Sequence, residues 1–503
     1  MSSKNSITPQ AKDFSQWYLD VVNHADLADY SSVKGCMIIK PYGYRIWELM
    51  QTDLDRRIKA AGVQNAYFPL FIPESFLKKE KDHVEGFAPE VAVVTHAGGK
   101  KLEEALVVRP TSETIIYDTY AKWIQSYRDL PLLINQWANV VRWEMRTRPF
   151  LRTTEFLWQE GHTVHETKAE ADQETLRALQ MYHDFAEQAL ALKVLTGYKS
   201  EKEKFRGALY TTCIECLAKD GKSIQFGTSH NLGQNFAEAF DIKFIDRNNE
   251  SKRPWQTSWG VSTRMIGALI VAHGDDDGLV LPPSIAPIQI VFVPIARDPE
   301  AFKKLVTHCQ RLKDSLPSTI RSSIDDREEV SLGFKRNHWE LKGVPVRVEM
   351  GEQELAQNSI VAARRDTKEK ITIAIDTAAT ALPELLDIMQ KAIYQGSADR
   401  LAQSVTPVST MEEFVTVIEK GGYALAYFCE DPAVEKEIQE KTKATTRLVS
   451  FDESTEKDKG VCFYTGRPAQ RRWYFAKSYG VCLVIFLEHF HMTLVSISVQ
   501  QTL

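Results

Sequence analysis

One segment, residues 139–162, limits the fold of this chain more than any other: NVVRWEMRTRPFLRTTEFLWQEGH. Its two ends are apolar, like buried strands, and the part between them is densely charged. Arginines and glutamates are interleaved there: Arg142, Glu144, Arg146, Arg148, Arg152, Glu155 and Glu160. The pattern predicts an antiparallel strand pair with the arginines at its turn, where guanidinium groups can bind phosphate oxygens and carboxylates can hold them side by side.

The second strand of this pair has one aromatic and charged face. Phe156, Trp158, Glu160 and His162 occupy alternate positions, so their side chains point to the same side of the strand. That face offers flat aromatic surfaces beside charge, as a ligand site would. A solvated hairpin with surface salt bridges would show the same pattern, and the segment alone does not separate the two interpretations.

The length and composition are those of a soluble globular protein. The chain has 503 residues, which predicts about three domains. A net charge of −5 argues against a general DNA-binding surface, but it leaves local RNA-binding patches open. Seven cysteines are too few for a disulfide framework, and the N-terminus lacks an apolar signal core. We therefore expect a cytoplasmic protein in a reducing compartment.

The C-terminal stretch at residues 480–499, GVCLVIFLEHFHMTLVSISV, is apolar except for Glu488, His489 and His491. It is nearly long enough to span a bilayer. A charge and two histidines near its centre argue against a span, and so does its position after a run of soluble domains. An added strand or helix, or a tail that is not part of the ancestral protein, is the favoured interpretation.

Strand and helix patterns divide the rest of the chain into units. Residues 45–62 predict an amphipathic helix, and AYFPLFIP at residues 66–73 predicts a strand. A proline-rich stretch at residues 279–287 marks a boundary, after which strands alternate with helices as in a mixed sheet of about five strands. We predict an α/β (α+β) fold with three domains and a tail: residues 1–283, 284–400, 401–479 and 480–503.

Three shorter strings place polar residues beside apolar strands. VVRPTSET has hydroxyls and Glu113 after a strand, which could also be a helix capping box. IQFGTSHNLGQNF predicts a glycine-flanked bend that carries Gln225, Thr228 and His230, although a lone histidine is often structural. SWGVSTRMIGALIVAHG predicts a strand and then a helix opened by Arg264, which could bind a phosphate or pair with a carboxylate.

Three segments resemble, in order, the signature motifs of class II aminoacyl-tRNA synthetases: the helix and strand ending at Pro69, RWE with its loop to FLWQEGH, and the strand and helix carrying Arg264. Within that class, RPTSET, FLRTTEFLWQEGH, GTSHNLGQNF and NHWELKGVPVRVE are similar to prolyl-tRNA synthetases of the archaeal/eukaryotic-like type, over about residues 8–479. The resemblance implies an antiparallel-sheet catalytic domain, an α/β anticodon-binding domain and a small C-terminal α/β domain. It also implies a proline–tRNA ligase, which activates L-proline with ATP, releases diphosphate and transfers proline to the 3′ end of tRNA(Pro).

The resemblance assigns roles to individual residues. It implies two catalytic arginines, Arg142 and Arg264. The implied proline-binding residues are Thr111, Glu113, Arg142, Trp158, His162 and His230. The implied ATP-binding residues are Arg142, Glu144, Arg152, Thr153, Phe156, Gln225, Thr228, Ser262 and Arg264. The implied anticodon-binding residues are Glu340 and Arg347. Both residue types can bond base edges, although a β-hairpin with surface charge would also fit their string.

The resemblance further implies Mg²⁺ with ATP, and a homodimer with the Pro69 segment at its interface and no membrane contact. Many members hold a zinc ion between two cysteine pairs in the third unit. Here only Cys429 and Cys462 stand near such positions, and Val434 and Thr465 occupy the partner places. Two thiolates do not complete a tetrahedral structural site, so we expect no structural zinc.

Two other classes of function stay open. One is a synthetase-derived RNA-binding or regulatory protein without ligase activity, which would have lost phosphate-binding arginines or the proline pocket. The other is a class II ligase for threonine, serine or glycine, which would have different polar residues or zinc. The presence of Arg142, Arg264, Glu113 and His230 favours the proline–tRNA ligase. The spacing between the two arginines leaves no room for a large editing insertion.

Overall fold

The structure is a computed structural model that describes residues 7–77, 91–144, 146–451 and 460–479. The apolar stretch at residues 480–499, and with it the expectation of an added strand, helix or membrane span, lies outside the described residues. Of the helices that the structure does describe, none combines the length and the apolar character needed to cross a bilayer.

The strands are numbered in chain order: β1 (Ala28–Tyr30), β2 (Met37–Ile39), β3 (Gln64–Asn65), β4 (Phe71–Pro73), β5 (Ala92–Ala97), β6 (Lys100–Val108), β7 (Leu132–Val141), β8 (Glu155–His165), β9 (Leu195–Tyr198), β10 (Tyr210–Leu217), β11 (Ser223–Gly233), β12 (Phe244–Ile245), β13 (Ser251–Lys252), β14 (Trp255–Ser262), β15 (Ile290–Ile295), β16 (Ser322–Ile324), β17 (Val346–Gly351), β18 (Ser359–Arg364), β19 (Lys370–Ala374), β20 (Val405–Pro407), β21 (Tyr423–Phe428), β22 (Thr445–Ser450), β23 (Gly460–Val461), β24 (Pro468–Ala469) and β25 (Arg471–Ala476).

The described α-helices are numbered in the same way: α1 (Phe14–His24), α2 (Pro41–Ala60), α3 (Glu74–Leu77), α4 (Glu113–Trp123), α5 (Lys168–Gln188), α6 (Asn235–Ala239), α7 (Arg264–His273), α8 (Pro299–Ser315), α9 (Leu332–Leu341), α10 (Glu352–Ala356), α11 (Ala378–Gln403), α12 (Met411–Lys420) and α13 (Pro432–Thr442).

An eleven-stranded sheet runs through the molecule in the order β20-β21-β25-β22-β9-β10-β11-β14-β8-β7-β3. The arginine-rich segment forms the predicted hairpin at one side of it, because β7 and β8 pair antiparallel with Val141 opposite Glu155. A smaller sheet of three strands, β4-β6-β5, stands beside it. The hairpin therefore belongs to a large sheet and is not a solvated surface feature.

Two helices cover this sheet and build its core. Helix α5 packs on β10, β11 and β14 and buries an apolar stripe that includes Ala178, Tyr182 and Phe185. Helix α7 is buried along its whole apolar length after Arg264, as expected for a helix without a polar face. Because α5 occupies one face of the central strands, the opposite face is the one that can receive a ligand.

Two local predictions were wrong. The glycine-flanked bend predicted at residues 224–236 is largely the central strand β11, which is hydrogen-bonded to β10 on one side and to β14 on the other. Pairing on both sides outweighs the local turn preference of its glycines. In AYFPLFIP, only Phe71–Pro73 is a strand. Pro69 lacks an N–H, and the N–H of Phe68 donates to the side chain of Gln136 at 2.5 Å instead of to a neighbouring strand.

The second unit has the predicted mixed sheet of five strands, in the order β16-β15-β17-β18-β19. Strands β16, β15 and β17 are parallel, and β18 and β19 are antiparallel. The β-hairpin alternative for the string around Glu340 was wrong, because helix α9 precedes strand β17.

Backbone hydrogen bonds between paired strands connect the third unit to the first. Strand β22 pairs antiparallel with β9, which makes β20, β21, β25 and β22 one end of the eleven-stranded sheet. Helix α11 runs across the boundary that we placed at residues 400 and 401. Sequence patterns did not indicate this continuity, since strand partners far apart in the chain leave no local signal.

Candidate functional site

Three neighbouring strands, β8, β14 and β11, form the floor of the candidate site. The side chains of Gln159 and Ser229 bond to α5, so alternate residues of their strands point away from that helix. The strand register then aligns His162, Ser258 and His230 in one row across the exposed face.

This face opens into a cavity of about 270 Å³. The residues predicted for the site that line the cavity are Thr111, Glu113, Arg142, Phe156, Trp158, His162, Gln225, Thr228, His230, Ser262 and Arg264. They come from the ends of β6 and β7, from three central strands and from the start of α7. The fold thus brings together residues that the chain spreads over more than a hundred positions.

Arg142 lies at the end of β7 with its guanidinium beside two aromatic rings. Its central carbon is 5.5 Å from the ring centroids of both Phe156 and Trp158, which is cation–π distance. Its Nε donates to the carbonyl oxygen of Pro110 at 3.0 Å. These contacts hold the plane of the guanidinium at the cavity wall.

Arg264 is the first residue of α7. Its Nε donates to the carbonyl oxygen of Leu151 at 3.0 Å, and its Nη1 donates to that of Gln225 at 3.2 Å. Its backbone N–H donates to the hydroxyl of Ser262 at 3.2 Å. A guanidinium at the N-terminal end of a buried helix concentrates positive charge at one end of the cavity, which suits an anion.

Thr111 and Glu113 lie where β6 leads into α4. The Thr111 hydroxyl donates to the Glu113 carboxylate, and both residues are buried in the cavity lining. The capping-box alternative was wrong, because Ser112 occupies the N-cap position without a side-chain capping bond. The Ser112 hydroxyl instead donates to Glu160 at 2.5 Å.

Glu160 and His162 form a buried hydrogen-bonded pair, of which only His162 was predicted for the site. The Nε2 of His162 lies 2.9 Å from Glu160 Oε2, and its Nδ1 lies 3.0 Å from the Tyr117 hydroxyl oxygen. Ser112 and Gln136 also donate to the Glu160 carboxylate. The alternation along β8 was the signal that could have identified Glu160.

This pair shifts the pKa of both groups. Burial alone would lower the pKa of His162, but the hydrogen bond to Glu160 and its negative charge outweigh burial and raise this pKa above its usual value of 6.5. Burial alone would raise the pKa of Glu160, but the hydrogen bond and charge of His162 bring it below 4.5. Each group of the pair thus favours the charged form of the other.

The pKa of His230 is shifted in the opposite direction from that of His162. Burial lowers the pKa of His230 to about 3, and the charge of His162 adds to this effect. Its Nδ1 lies 2.9 Å from the hydroxyl of Thr211, which accepts a hydrogen bond from the backbone N–H of Phe205. That hydroxyl has a proton to donate to Nδ1, and this favours the tautomer with the proton on Nε2.

Three residues of the lining have a buried polar atom without a partner within the part of the chain that the structure describes: the indole nitrogens of Trp158 and Trp259 and the hydroxyl of Ser258. The ring of Trp259 packs against Tyr182 of α5, whereas Ser258 stands in the row with His162 on the cavity face. Buried polar groups are nearly always hydrogen-bonded, and exceptions concentrate at binding sites. The atoms of Trp158 and Ser258 therefore support a ligand in the cavity.

The cavity is also lined by residues that the sequence analysis missed. One set follows β9: Lys199, Glu203 and Phe205. The ring of Phe205 lies against that of His230, with centroids 4.6 Å apart. No motif marked this stretch, and its place at the cavity depends on how β9 joins the sheet.

Three predicted ATP-binding residues lie outside this lining. Glu144 accepts a hydrogen bond from Arg152 at 2.6 Å, and the hydroxyl of Thr153 donates to the carbonyl oxygen of Glu155 at 2.8 Å. They stand in the loop between β7 and β8, and their roles stay predictions. Arg148, in the same loop, lies over the ring of Tyr18 at 4.9 Å, so this arginine supports the fold.

The two residues predicted for the anticodon contact each other in the second unit. Glu340 accepts from Nη1 of Arg347 at 3.0 Å, and Glu349 accepts from its Nε at 2.9 Å. Arg336 binds Glu349 with two further bonds of 2.6 Å. A small cleft with Trp339 at its wall includes Glu340 and Arg347, so charged groups for base edges are present in one place.

No group of three or more histidine, cysteine, aspartate or glutamate side chains within the described ranges is arranged to hold a metal ion. Near Cys429, the guanidinium of Arg467 donates to the sulfur at 3.0 Å and to Asp431 at 2.8 Å. A cation of the protein itself thus occupies the surroundings of this thiol. The side chains at Val434 and Thr465 add no further thiolate.

The arrangement can bind a small zwitterion and a polyanion side by side. Glu113 provides negative charge at one end of the cavity, and aromatic rings enclose the space next to it. Arg142 and Arg264 provide positive charge for carboxylate and phosphate oxygens. In a shielded cavity, such fixed charges can stabilise a phosphoryl transfer without a protein nucleophile.

Comparison with known families gives three domain matches along the chain. The model of the tRNA synthetase class II core domain (G, H, P, S and T) matches residues 94–273. The anticodon binding domain matches residues 289–385. The C-terminal domain of prolyl-tRNA synthetase matches residues 411–479.

Curated proteins resemble the chain over nearly its whole length. It is 53% identical to a proline–tRNA ligase of Roseiflexus sp. (strain RS-1) over 481 residues, which cover 95% of this chain and 100% of that protein. It is 51% identical to a proline–tRNA ligase of Natranaerobius thermophilus, covering 94% and 98%. A proline–tRNA ligase of Chlorobium phaeobacteroides is 52% identical, covering 94% and 100%.

Replacing Glu160 by glutamine tests the buried pair. The raised pKa of His162 contributes stability that is complete below pH 6.5 and is lost as pH rises through the folded pKa. The lowered pKa of Glu160 contributes stability that is complete above pH 4.5 and is lost as pH falls through its folded pKa. We expect Glu160→Gln to destabilise the protein by about 3 kcal/mol between these values. Its deficit in Tm should shrink as pH rises above 6.5.

The matched control is Ser112→Ala, which removes a neutral donor to the same carboxylate. Its effect on Tm should not follow the ionisation of His162. A Tm deficit of Glu160→Gln that stays constant from pH 5 to pH 9 would show that His162 carries no charge in the folded protein.

Proposed function

The chain belongs to the prolyl-tRNA synthetase family, and we propose that the cavity over β8, β14 and β11 is where it activates proline with ATP. Three domain matches and the identity with full-length relatives confirm the predicted family and fold class. The protein is a proline–tRNA ligase: it forms prolyl-adenylate from L-proline and ATP and transfers proline to tRNA(Pro).

The proline end of the cavity lies between Glu113 and His230. We propose that Glu113 pairs with the secondary ammonium and that Trp158 and His162 form the wall against the ring. The Nε2–H of His230 then faces the substrate carboxylate or its carbonyl oxygen. The hydrogen bond that Thr111 donates to Glu113 and the one between Nε2 of His162 and Glu160 support this proposal, because they hold Glu113 and His162 in one orientation.

The ATP end lies between Arg142 and Arg264. Arg142 would bind both the proline carboxylate and the α-phosphate, and Arg264 the terminal phosphates. Phe156 would stack on adenine. Polar contacts to ATP would come from Gln225, Thr228 and Ser262. The loop between β7 and β8 would add Glu144, Arg152 and Thr153. The carboxylate oxygen attacks the α-phosphorus, and diphosphate leaves in line with the attack.

Catalysis in this arrangement is positioning and charge stabilisation. Negative charge on the phosphoryl oxygens grows in the transition state, and two guanidinium groups held by backbone carbonyls need no reorganisation to meet it. The observation that carries the proposal is this meeting of two anchored guanidiniums with a buried carboxylate in one cavity.

Mg²⁺ would enter with ATP as part of the substrate. The cavity supplies cationic groups to the phosphates, so the metal would be held by phosphate oxygens and water, as is usual for this ion. We further propose that the third unit holds no structural zinc, since the thiol of Cys429 is bonded to Arg467 and the remaining donors do not complete a tetrahedral set.

Association of two copies is part of the proposal. Tyr67, Phe71, Val93 and Trp123 are 72%, 45%, 47% and 49% exposed, and they flank the Pro69 segment. Clustered exposed apolar side chains mark interaction surfaces. We propose a cytoplasmic homodimer with this surface at its interface.

A conservative change at Arg142 tests the active site. Arg142→Lys keeps the charge but loses the two-pronged geometry, so we expect kcat/KM for proline-dependent ATP–pyrophosphate exchange to fall about 100-fold. The control is Arg56→Lys on the exposed face of α2, which should match the wild type. If Arg142→Lys kept wild-type activity, the cavity would be excluded as the active site. Absence of proline-dependent exchange in the wild type would leave the RNA-binding alternative.

The anticodon cleft is tested by separating charging from activation. Glu340→Ala should raise the KM for tRNA(Pro) in aminoacylation about tenfold, because one base contact is worth about 1–3 kcal/mol. Exchange without tRNA should change much less. Glu300→Ala, on an exposed helix of the same unit, is the control. Equal losses in both assays would show that Glu340 acts through the fold and not on the RNA.

The dimer surface is tested by placing a charge on it. Phe71→Asp should convert a particle of twice 57.2 kDa into one of 57.2 kDa, as measured by light scattering on a size-exclusion column. Ile388→Asp changes a residue that is equally apolar and 54% exposed on α11, and it should leave the mass unchanged. A wild-type mass of 57.2 kDa would exclude the homodimer.

A further inference from the structure

Residues 199–205, here called the wall segment, lie between the cavity and the third unit. Lys199, Glu203 and Phe205 line the cavity. The ring of Phe205 rests on His230, and its backbone N–H donates to Thr211, whose hydroxyl also bonds His230. Any displacement of the wall segment therefore reaches the proline end of the site.

The third unit contacts the chain at the two residues that directly precede the wall segment. Strand β22 pairs with β9 through Tyr198 opposite Val449 and Gly197 opposite Ser450. A Cβ added at Gly197 would overlap the carbonyl oxygen of Val449. The two backbones thus approach as closely as glycine allows, directly before Lys199.

A buried charge cluster then ties Lys199 to the third unit. The ammonium of Lys199 donates to Glu215 at 2.8 Å and to the carbonyl oxygen of Arg447 at 2.8 Å. Arg447 donates two bonds to the same carboxylate, at 2.7 and 2.9 Å. The exposed fractions of the three side chains are 2%, 0% and 5% in the order Lys199, Glu215 and Arg447.

Glu215 is the carboxylate at the centre of this cluster, and its two cationic neighbours favour its ionised form. Burial alone would raise the pKa of Glu215, but Arg447 and Lys199 outweigh it and lower this pKa to about 2. Ser223 completes the set with a bond from its hydroxyl to Glu215. Buried ion pairs add little net stability compared with apolar packing, yet they enforce one geometry because an unpaired member is costly.

A second, independent tether holds the middle of the wall segment. The hydroxyl of Ser200 donates to Glu435 of α13 at 3.1 Å, and Thr446 of β22 donates to the same carboxylate. The ammonium of Lys202 donates to Gln439 of α13 at 2.5 Å. Two elements of the third unit, β22 and α13, therefore hold Lys199, Ser200 and Lys202 of the segment that borders the cavity.

We propose that the third unit is a positioning element of the active site. Arg447 acts through Glu215 on Lys199, and Glu435 acts through Ser200, to hold Phe205 and Thr211 against His230. The inference rests on the proposed assignment of this end of the cavity to proline. It predicts a selective effect, because Arg264, at the ATP end, is held by the backbone of Leu151 and Gln225, which lie outside the wall segment.

The test is a comparison of KM values in ATP–pyrophosphate exchange with the full chain. Arg447→Met removes the two bonds to Glu215 and keeps much of the side-chain volume. We expect the KM for proline to rise about tenfold, because small misplacements of a binding wall are costly. The KM for ATP should change less than about twofold. Arg447→Lys, which can still donate one charged bond, should recover part of the loss.

The matched control is Arg471→Met in the same unit. Arg471 also makes a two-pronged pair, with Glu430, but this pair does not touch the wall segment. Its loss should lower Tm and leave the KM for proline unchanged. An equal rise of both KM values in Arg447→Met, or no rise in either, would overturn the proposal.

Ser200→Ala covers the case in which Arg447→Met does not fold. It removes one neutral bond to Glu435, and a rise of about threefold in the KM for proline supports the proposal. An unchanged KM in a folded Ser200→Ala overturns it. Wild-type protein without proline-dependent exchange would instead refute the proposed function, and the positioning inference would fall with it.

Discussion

The pleat and register of three central strands, β8, β14 and β11, are the constraint on which the site depends. Successive side chains of a strand point to opposite faces. Helix α5 takes Gln159 and Ser229 on one face, so the neighbours of these residues must face the cavity. A register shift of one residue would turn His162 and His230 into the core and empty the site. The geometry of the site therefore depends first on the register of the strands, which decides which side chains face the cavity.

Charge inside this molecule is used to orient side chains. Glu160 holds the imidazole ring of His162, Glu144 holds Arg152, and Glu215 holds Lys199 and Arg447. In low dielectric such pairs have one good arrangement, because any other leaves a buried charge unpaired. Backbone carbonyls anchor Arg142 and Arg264, and two aromatic rings lie against Arg142. These contacts place two guanidinium groups at the cavity wall.

Much of the fold followed from local patterns. The β7–β8 hairpin, the mixed sheet of the second unit and the helix opened by Arg264 were all predicted, because alternation and helical periodicity are local properties. The glycine-rich string at residues 224–236 misled the prediction, since strand pairing on both sides overrides turn preference. The capping-box alternative at Ser112 was wrong, because its hydroxyl bonds Glu160 and not its own helix. No local sequence pattern indicated that Lys199 lines the cavity.

The amino-acid sequence by itself determined the family, the order of the domains and the residue types of the site, because these depend on motifs that are contiguous in the chain. Tertiary structure alone decided that Glu160 and His162 form a buried pair and that Lys199 and Phe205 reach the cavity. It also decided that the third unit continues the catalytic sheet through β22 and β9. These contacts join residues up to about 250 positions apart, as between Lys199 and Arg447, and strand pairing over such distances is set by the packing of the whole sheet and not by local sequence.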